Sequence, residues 1–239
     1  MLITIIGRGH SGTRAISETL SRSGIFMGEP LNSSWDLVPA EKMYEACRIF
    51  GSYVKYTGGL NWDFSRVIES KPTPEFVRLI EEYLDSVLSS SAENKGWKIP
   101  ETTLCYPWIL KMFPQIYYIH WVRDPRDCIL GSHVTDDLRD FNIDSPATDD
   151  LRERRAISWK YQREIMKATT KPEKLLSLRF EDMVLRQERT LAKLREFLNV
   201  PIAEIEMRSD SIGRYKTDTG THFFEFFKED LIECRYELN

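Results

Sequence analysis

The sequence predicts an α/β fold, a three-layer sandwich in which helices cover both faces of a central parallel sheet. Three observations predict it. Short runs of β-branched and aromatic residues alternate along the chain with longer segments whose apolar residues recur at helical spacing. The first run, Leu2 to Ile6, is apolar almost throughout, as in a strand covered on both faces. It passes through a glycine-containing turn straight into a helical segment, which is the opening of a βα unit.

The elements follow in order. Thr13 to Ser23 places Ala15, Ile16, Thr19 and Leu20 on one helical face and stops at Gly24. Residues 40–56 carry a helical pattern through Met43, Ala46, Cys47, Phe50 and Val54, and residues 56–61 read as a loop. Thr73 caps a helix with Pro74 at its first position and an apolar stripe running from Phe76 to Leu88. Residues 96–99 form a short strand stopped by Pro100, and a helix covers about 102–112. The strongest strand spans Ile116 to Val122 and runs into Arg123-Asp124-Pro125-Arg126-Asp127, with a helix starting near Pro125. Residues 136–150 hold six aspartates and read as a mobile surface loop. A long helix over 150–168, a strand over 175–180, a helix over 186–198 and an aromatic-rich terminal helix complete the chain. Without an internal repeat or a low-complexity linker, residues 1–239 are expected to form a single domain.

The composition narrows the function. A net charge of -4 gives no general attraction to nucleic acid or to an anionic membrane, so neither is expected as a partner. An anionic ligand would need a local cluster of donors. The chain has no apolar run long enough to span a membrane, and its N-terminus shows no basic leader. Cys47, Cys105, Cys128 and Cys234, like His10, His120, His133 and His222, lack metal-ligand spacing. Reduced cysteines, a cytoplasmic location and no bound metal are therefore expected.

Residues 7–14 read Gly7-Arg8-Gly9-His10-Ser11-Gly12-Thr13-Arg14. Glycines allow a tight turn that aims backbone N–H groups into one concavity, and the following helix adds its positive end. Arg8, Gly9, His10, Ser11, Gly12, Thr13 and Arg14 are the candidate anion-binding residues. The glycine spacing is that of an ATP-type P-loop, but Thr13 and Arg14 stand where lysine and Ser/Thr would follow the second glycine. A ligand-free βα turn is the competing reading.

The segment Ile5 to Ala15 resembles the 5′-phosphosulfate loop of the sulfotransferases that use 3′-phosphoadenosine 5′-phosphosulfate (PAPS), with His10 where that family more often has Lys or Arg. Arg123-Asp124-Pro125-Arg126-Asp127 resembles the family's 3′-phosphate element. There an arginine grips the phosphate and a serine eight residues later assists; that place is Gly131 in this chain, with Ser132 one position late. Trp97-Lys98-Ile99-Pro100-Glu101 resembles its Lys-x-Pro element, and Ile212-Gly213-Arg214-Tyr215-Lys216 its C-terminal nucleotide segment, which makes Arg214 a further candidate. Glu29 stands near the place where several members carry a catalytic glutamate.

The resemblance covers about residues 2–217 and implies a specific reaction. A sulfuryl group would pass from PAPS to a hydroxyl or amine of a small-molecule or peptide acceptor, leaving adenosine 3′,5′-bisphosphate. Glu29 would take the proton, and Lys98 and His10 would stabilise the charge on the leaving phosphate. Two rivals share the fold: a P-loop kinase using ATP and Mg²⁺, and a catalytically silent nucleotide-binding protein. The aspartates of residues 136–150 either face a cationic acceptor or are simply solvated.

Overall fold

The computed structural model describes residues 1–238. The chain opens with β1 (Leu2–Ile6) and α1 (Thr13–Arg22), then α2 (Glu41–Gly51) and a hairpin of β2 (Lys55–Gly58) and β3 (Asn61–Asp63). The helices α3 (Ser65–Glu69), α4 (Pro74–Tyr83) and α5 (Asp85–Leu88) lead to β4 (Lys95–Lys98). Then come α6 (Tyr106–Met112), β5 (Tyr117–Val122), α7 (Pro125–Cys128) and the long α8 (Leu151–Ala168). The last strand, β6 (Leu175–Arg179), is followed by α9 (Phe180–Leu185), α10 (Gln187–Leu198) and α11 (Lys228–Glu233).

The main sheet has the order β4-β1-β5-β6, and all its pairings are parallel. The chain leaves β1 toward β4 on one side and returns to β5 on the other. The strand order therefore switches at β1, where open α/β sheets gather ligands outside the strands' carboxyl ends. Register brings those ends together: Ile5 lies beside Lys98, Ile6 beside His120, and Val122 beside Arg179. The turn after Ile6, Lys98 and Arg123 thus emerge along one edge.

Strand alternation sorts the core into two layers. Ile5, Ile119 and Trp121 pack with Ile16 and Leu20 of α1 and Leu191 and Leu194 of α10. Tyr118 faces the other way, into a cluster built by α2, α4, α6 and α8. There Trp108 is fully buried and meets the rings of Phe50, Tyr53 and Phe76 at 5.0–5.2 Å. Truncating such a side chain to alanine costs about 3–5 kcal/mol. A third cluster docks Phe227 and Leu231 of the tail against Trp159 of α8. The expected α/β sandwich with a parallel sheet is the fold observed.

Several elements differ from the expectations in detail. The stretch read as a loop at 56–61 is the β2–β3 hairpin, with Gly58 and Gly59 supplying the positive φ angles of its turn. The helix expected from 73 to 88 breaks at Leu84 into α4 and α5, although the apolar stripe continues to Val87. The helix near Pro125 is one turn long, and the one expected from 102 begins as a 3₁₀ turn over Pro100–Thr103.

The largest difference is at 136–150, which is anchored rather than a mobile surface loop. Leu138, Phe141 and Ile143 are buried in the core, within and after two 3₁₀ turns. Several of its aspartates cap turns: Asp137 accepts the Arg139 N–H, and Asp150 caps α8 through the N–H groups of Arg152 and Glu153. Cys47, Cys105 and Cys128 are buried and Cys234 partly so, all as free thiols. Among the described residues, no helix is long and apolar enough to cross a membrane.

Candidate active site

The turn after β1 is held from behind by its carbonyls. Trp121 Nε1 donates to Ser11 O at 3.0 Å, Arg123 Nη1 donates to His10 O at 3.1 Å, and the Ser11 N–H and hydroxyl both donate to Arg8 O. Gly7 N–H donates to Thr103 Oγ1 at 3.0 Å, which ties the turn to the segment after β4. With the carbonyls so engaged, the N–H groups of His10, Gly12, Thr13 and Arg14 find no acceptor among the described residues. Gly12 begins α1 with φ 82° and offers no side-chain cap, and no acidic residue sits in the first turn. The helix end is electrically uncompensated, which favours an anion there. Glycine is required at this position twice over, by its φ and because a Cβ would lie 2.5 Å from the Phe180 ring.

The side chains of the turn divide in their roles. Arg8 is 4% exposed, with both terminal nitrogens on protein partners, the carbonyls of Gly9 and Cys128 and the carboxylate of Asp136, and its buried Nε without one. Ser11 and Thr13 are buried, and Arg14 is exposed on the first turn of α1. His10 has φ 61° and bonds through Nε2 to the carbonyl of Ser132, and partial burial holds its pKa below the usual imidazole range. A Cβ on Gly131 would lie 2.5 Å from His10 Nδ1. The imidazole therefore fills the space that a side chain at 131 would need. Ser132 itself is exposed and contributes its backbone.

Arg123, at the end of β5, is 7% exposed, stacks over Phe180 at 4.5 Å, donates to Ser211 O as well as to His10 O, and pairs with Asp127 Oδ2 at 3.4 Å. Its Nε is buried without a hydrogen-bond partner. Asp127 accepts the N–H groups of Gly213 and Tyr215 at 2.8 and 3.1 Å, and Arg126 stacks on Tyr215 at 4.2 Å. These contacts pull the turn carrying the exposed Arg214 onto the Arg123 element. Arg214, Arg123, Ser132 and the loop are thus linked through successive contacts.

Lys98 ends β4 at 1% exposure, with its ammonium on Asp36 and on Ser34 O at 2.7 Å. Burial lowers its pKa, and Asp36 opposes the shift. Glu29 is exposed on the segment between Phe26, which pairs beside Lys95, and Leu37, whose N–H donates to Lys98 O. Its N–H donates to Ser86 Oγ at 3.2 Å, and no described residue holds its carboxylate.

Glu101 and His133 were not legible as functional, and Asp136, read as facing a cationic acceptor or solvated, has a different place. Glu101 is 1% exposed, its Oε2 has no partner, and burial raises its pKa to about 7. Its Oε1 lies 3.9 Å from His133 Nε2. The His133 ring packs on the loop so closely that a Cβ on Gly9 would lie 2.2 Å away, and burial lowers its pKa to about 3. Asp136 neutralises Arg8 and Arg155 instead of standing in solvent. The one sequence signal was the position of Glu101 directly after Lys98-Ile99-Pro100.

A protein-family model described as the sulfotransferase family matches residues 3–204. Among solved structures, the sulfotransferase domain from the curacin biosynthetic pathway superposes with a TM-score of 0.62 at 15% identity, covering 99% of this chain and 98% of that one. The sulfotransferase domain of the Synechococcus PCC 7002 olefin synthase gives 0.60 at 16% identity, covering 100% and 95%. A sulfotransferase from Alicyclobacillus acidocaldarius gives 0.52 at 15%, covering 99% and 96%. At these identities the likeness is one of fold. None of the curated proteins matches the chain in sequence.

Proposed function

Because the chain belongs to the sulfotransferase family, we propose that it transfers a sulfuryl group from PAPS to a hydroxyl or amine of a small-molecule or peptide acceptor, with the whole chain acting as one domain. One observation carries the reading. At the strand-order switch, a loop turns its carbonyls inward, and beside its free N–H groups and uncapped helix end lies Arg123, whose Nε is unpartnered. That is a cradle for a ligand with two separated anionic groups.

In this reading the N–H groups of His10, Gly12, Thr13 and Arg14 hold the 5′-phosphosulfate, and Arg123 and Arg214 hold the 3′-phosphate. As the acceptor oxygen or nitrogen bonds to sulfur, the sulfur–oxygen bond to the 5′-phosphate breaks. The released charge falls on the loop N–H groups and Lys98, one such preorganised donor being worth about 3 kcal/mol; His10, whose Nε2–H is taken by Ser132 O, acts through the loop's shape. Glu29 takes the acceptor's proton as an exposed carboxylate. Glu101 is a second candidate for that role, because a carboxyl with a pKa of about 7 exchanges protons near neutral pH. Arg8 acts as a strut that keeps the loop's shape.

The kinase alternative is disfavoured by the family match and by Thr13 and Arg14 in place of the P-loop's Lys and Ser/Thr. Calorimetric titration with adenosine 3′,5′-bisphosphate, against ATP with Mg²⁺, tests the proposal. Binding of the bisphosphate that ignores magnesium and weakens in Arg123→Ala supports it. Binding of ATP only with magnesium would refute it. Bisphosphate binding without turnover over a broad acceptor panel would point to the silent form.

A further inference from the structure

A cavity of about 440 Å³, lined by none of the residues assigned above, lies beside β6 and is walled by α8, α10 and the turn after α11. Six cations line it: Arg163, Lys167, Lys171, Arg179, Lys193 and Arg235. Two carboxylates, Asp182 and Glu233, line it with them. This is a marked local excess in a chain whose net charge is -4.

Arg163 and Lys167 are already paired with Asp230 and Glu233. Lys171, Lys193 and Arg235 come from three separate segments, are exposed, and take no ion pair among the described residues. Arg179 is partly committed: its guanidinium stacks over Tyr236 at 4.2 Å and its Nε lies 4.0 Å from Glu181 Oε2 without a hydrogen bond. The inner wall is polar but uncharged. Burial keeps His120 neutral, with its pKa near 3, and its Nδ1 lies 3.3 Å from Ser177 Oγ. The Tyr106 hydroxyl is buried there without a partner. Val122, Met166, Leu175 and Leu178 supply apolar surface.

We propose that this cavity is a second anion site, which takes a phosphate or sulfate monoester carried on a small organic body. The chemistry follows from the lining. Cations arriving from several directions suit a tetrahedral head with oxygens on every side, whereas a lone carboxylate is satisfied by one guanidinium fork. The neutral hydroxyls, the imidazole and the apolar wall suit an organic body behind that head, and the volume lies in the range of small-molecule sites. His120, Val122, Arg163 and Met166 also line a small cavity touching Gly7, Arg8, Ser11 and Arg123. The two sites therefore share a wall, and the test must separate them.

The full chain is titrated by calorimetry at low salt with phenyl phosphate, phenyl sulfate and inorganic phosphate. The same titrations are run on Arg123→Ala and on a Lys171→Glu/Lys193→Glu variant. Both lysines are exposed, so the reversal spares the core, and a thermal melt checks the fold. The expected result is saturable binding of one or both esters that persists in Arg123→Ala. The double reversal should weaken it by about tenfold or more. Absence of saturable ester binding overturns the proposal, as does binding lost in Arg123→Ala and unchanged in the double reversal. Inorganic phosphate binding as tightly as the esters overturns the organic body.

Discussion

Arg123 Nη1 donates to the carbonyl of His10 at 3.1 Å, so the arginine ending β5 holds the loop that begins after β1. A residue assigned to one end of the nucleotide also shapes the cradle for the other. Arg123→Ala is expected to cost more than one ligand contact: about 1.5–3 kcal/mol of bisphosphate affinity for the charged hydrogen bonds, together with a lower Tm. Arg123→Lys should keep the charge, lose the fork and recover only part of the affinity. Calorimetry and thermal melts on both variants check this.

His10 and Gly131 exclude each other's alternatives. A side chain at 131 would meet the imidazole at 2.5 Å. Gly131→Ser alone is expected to push the exposed His10 ring off Ser132, at a stability cost of about 1 kcal/mol or less. Combined with His10→Ala it should be tolerated far better than the sum of the two changes. A double-mutant cycle on stability and on bisphosphate affinity measures that coupling.

Glu101 predicts a pH dependence of stability. Burial raises its pKa to about 7 from the ordinary 4.5 of a glutamate, so the folded protein holds this proton more tightly than the unfolded chain does. The sign follows: this group favours folding below pH 4.5, loses that contribution as pH rises toward about 7, and is constant above. Glu101→Gln should remove this slope and leave the variant more stable than the parent at pH 8, by on the order of 3 kcal/mol. Denaturant unfolding at several pH values checks it.

The same substitution separates the two candidate bases once an acceptor is in hand. If Glu101 takes the proton, the acid limb of kcat/KM near pH 7 disappears in Glu101→Gln and survives in Glu29→Gln. Loss of turnover in Glu29→Gln, with the acid limb unchanged in Glu101→Gln, assigns the role to Glu29.

Asp136→Ala should destabilise by about 3–5 kcal/mol, because it strips the partner from an arginine that is 4% exposed. Arg8→Met, which removes the buried charge itself, should cost less. Chemical denaturation compares the two. An Asp136 effect confined to an acceptor's Michaelis constant would contradict this assignment.

Much of the architecture was legible because its signals are local. Apolar runs at 2–6, 116–122 and 175–180 marked strands by their own composition, and the glycines of residues 7–12 marked a turn by the angles they permit. The stretches at 56–61 and 136–150 misled for a shared reason. Glycine and aspartate favour turns wherever they occur, and composition does not say whether a turn joins paired strands or is anchored by Leu138, Phe141 and Ile143 in the core.

The fold class, the glycine turn after β1 and the arginine after β5 were thus set by residue type and spacing along the chain. What tertiary structure decided was which charges remain available. Arg8 is consumed by Asp136, His10 occupies the space beside Gly131, and Glu101 is buried until its pKa approaches neutrality. Each depends on groups brought together from residues tens to more than a hundred positions apart. Desolvation and pairing depend on distance in space, and no local pattern carries them.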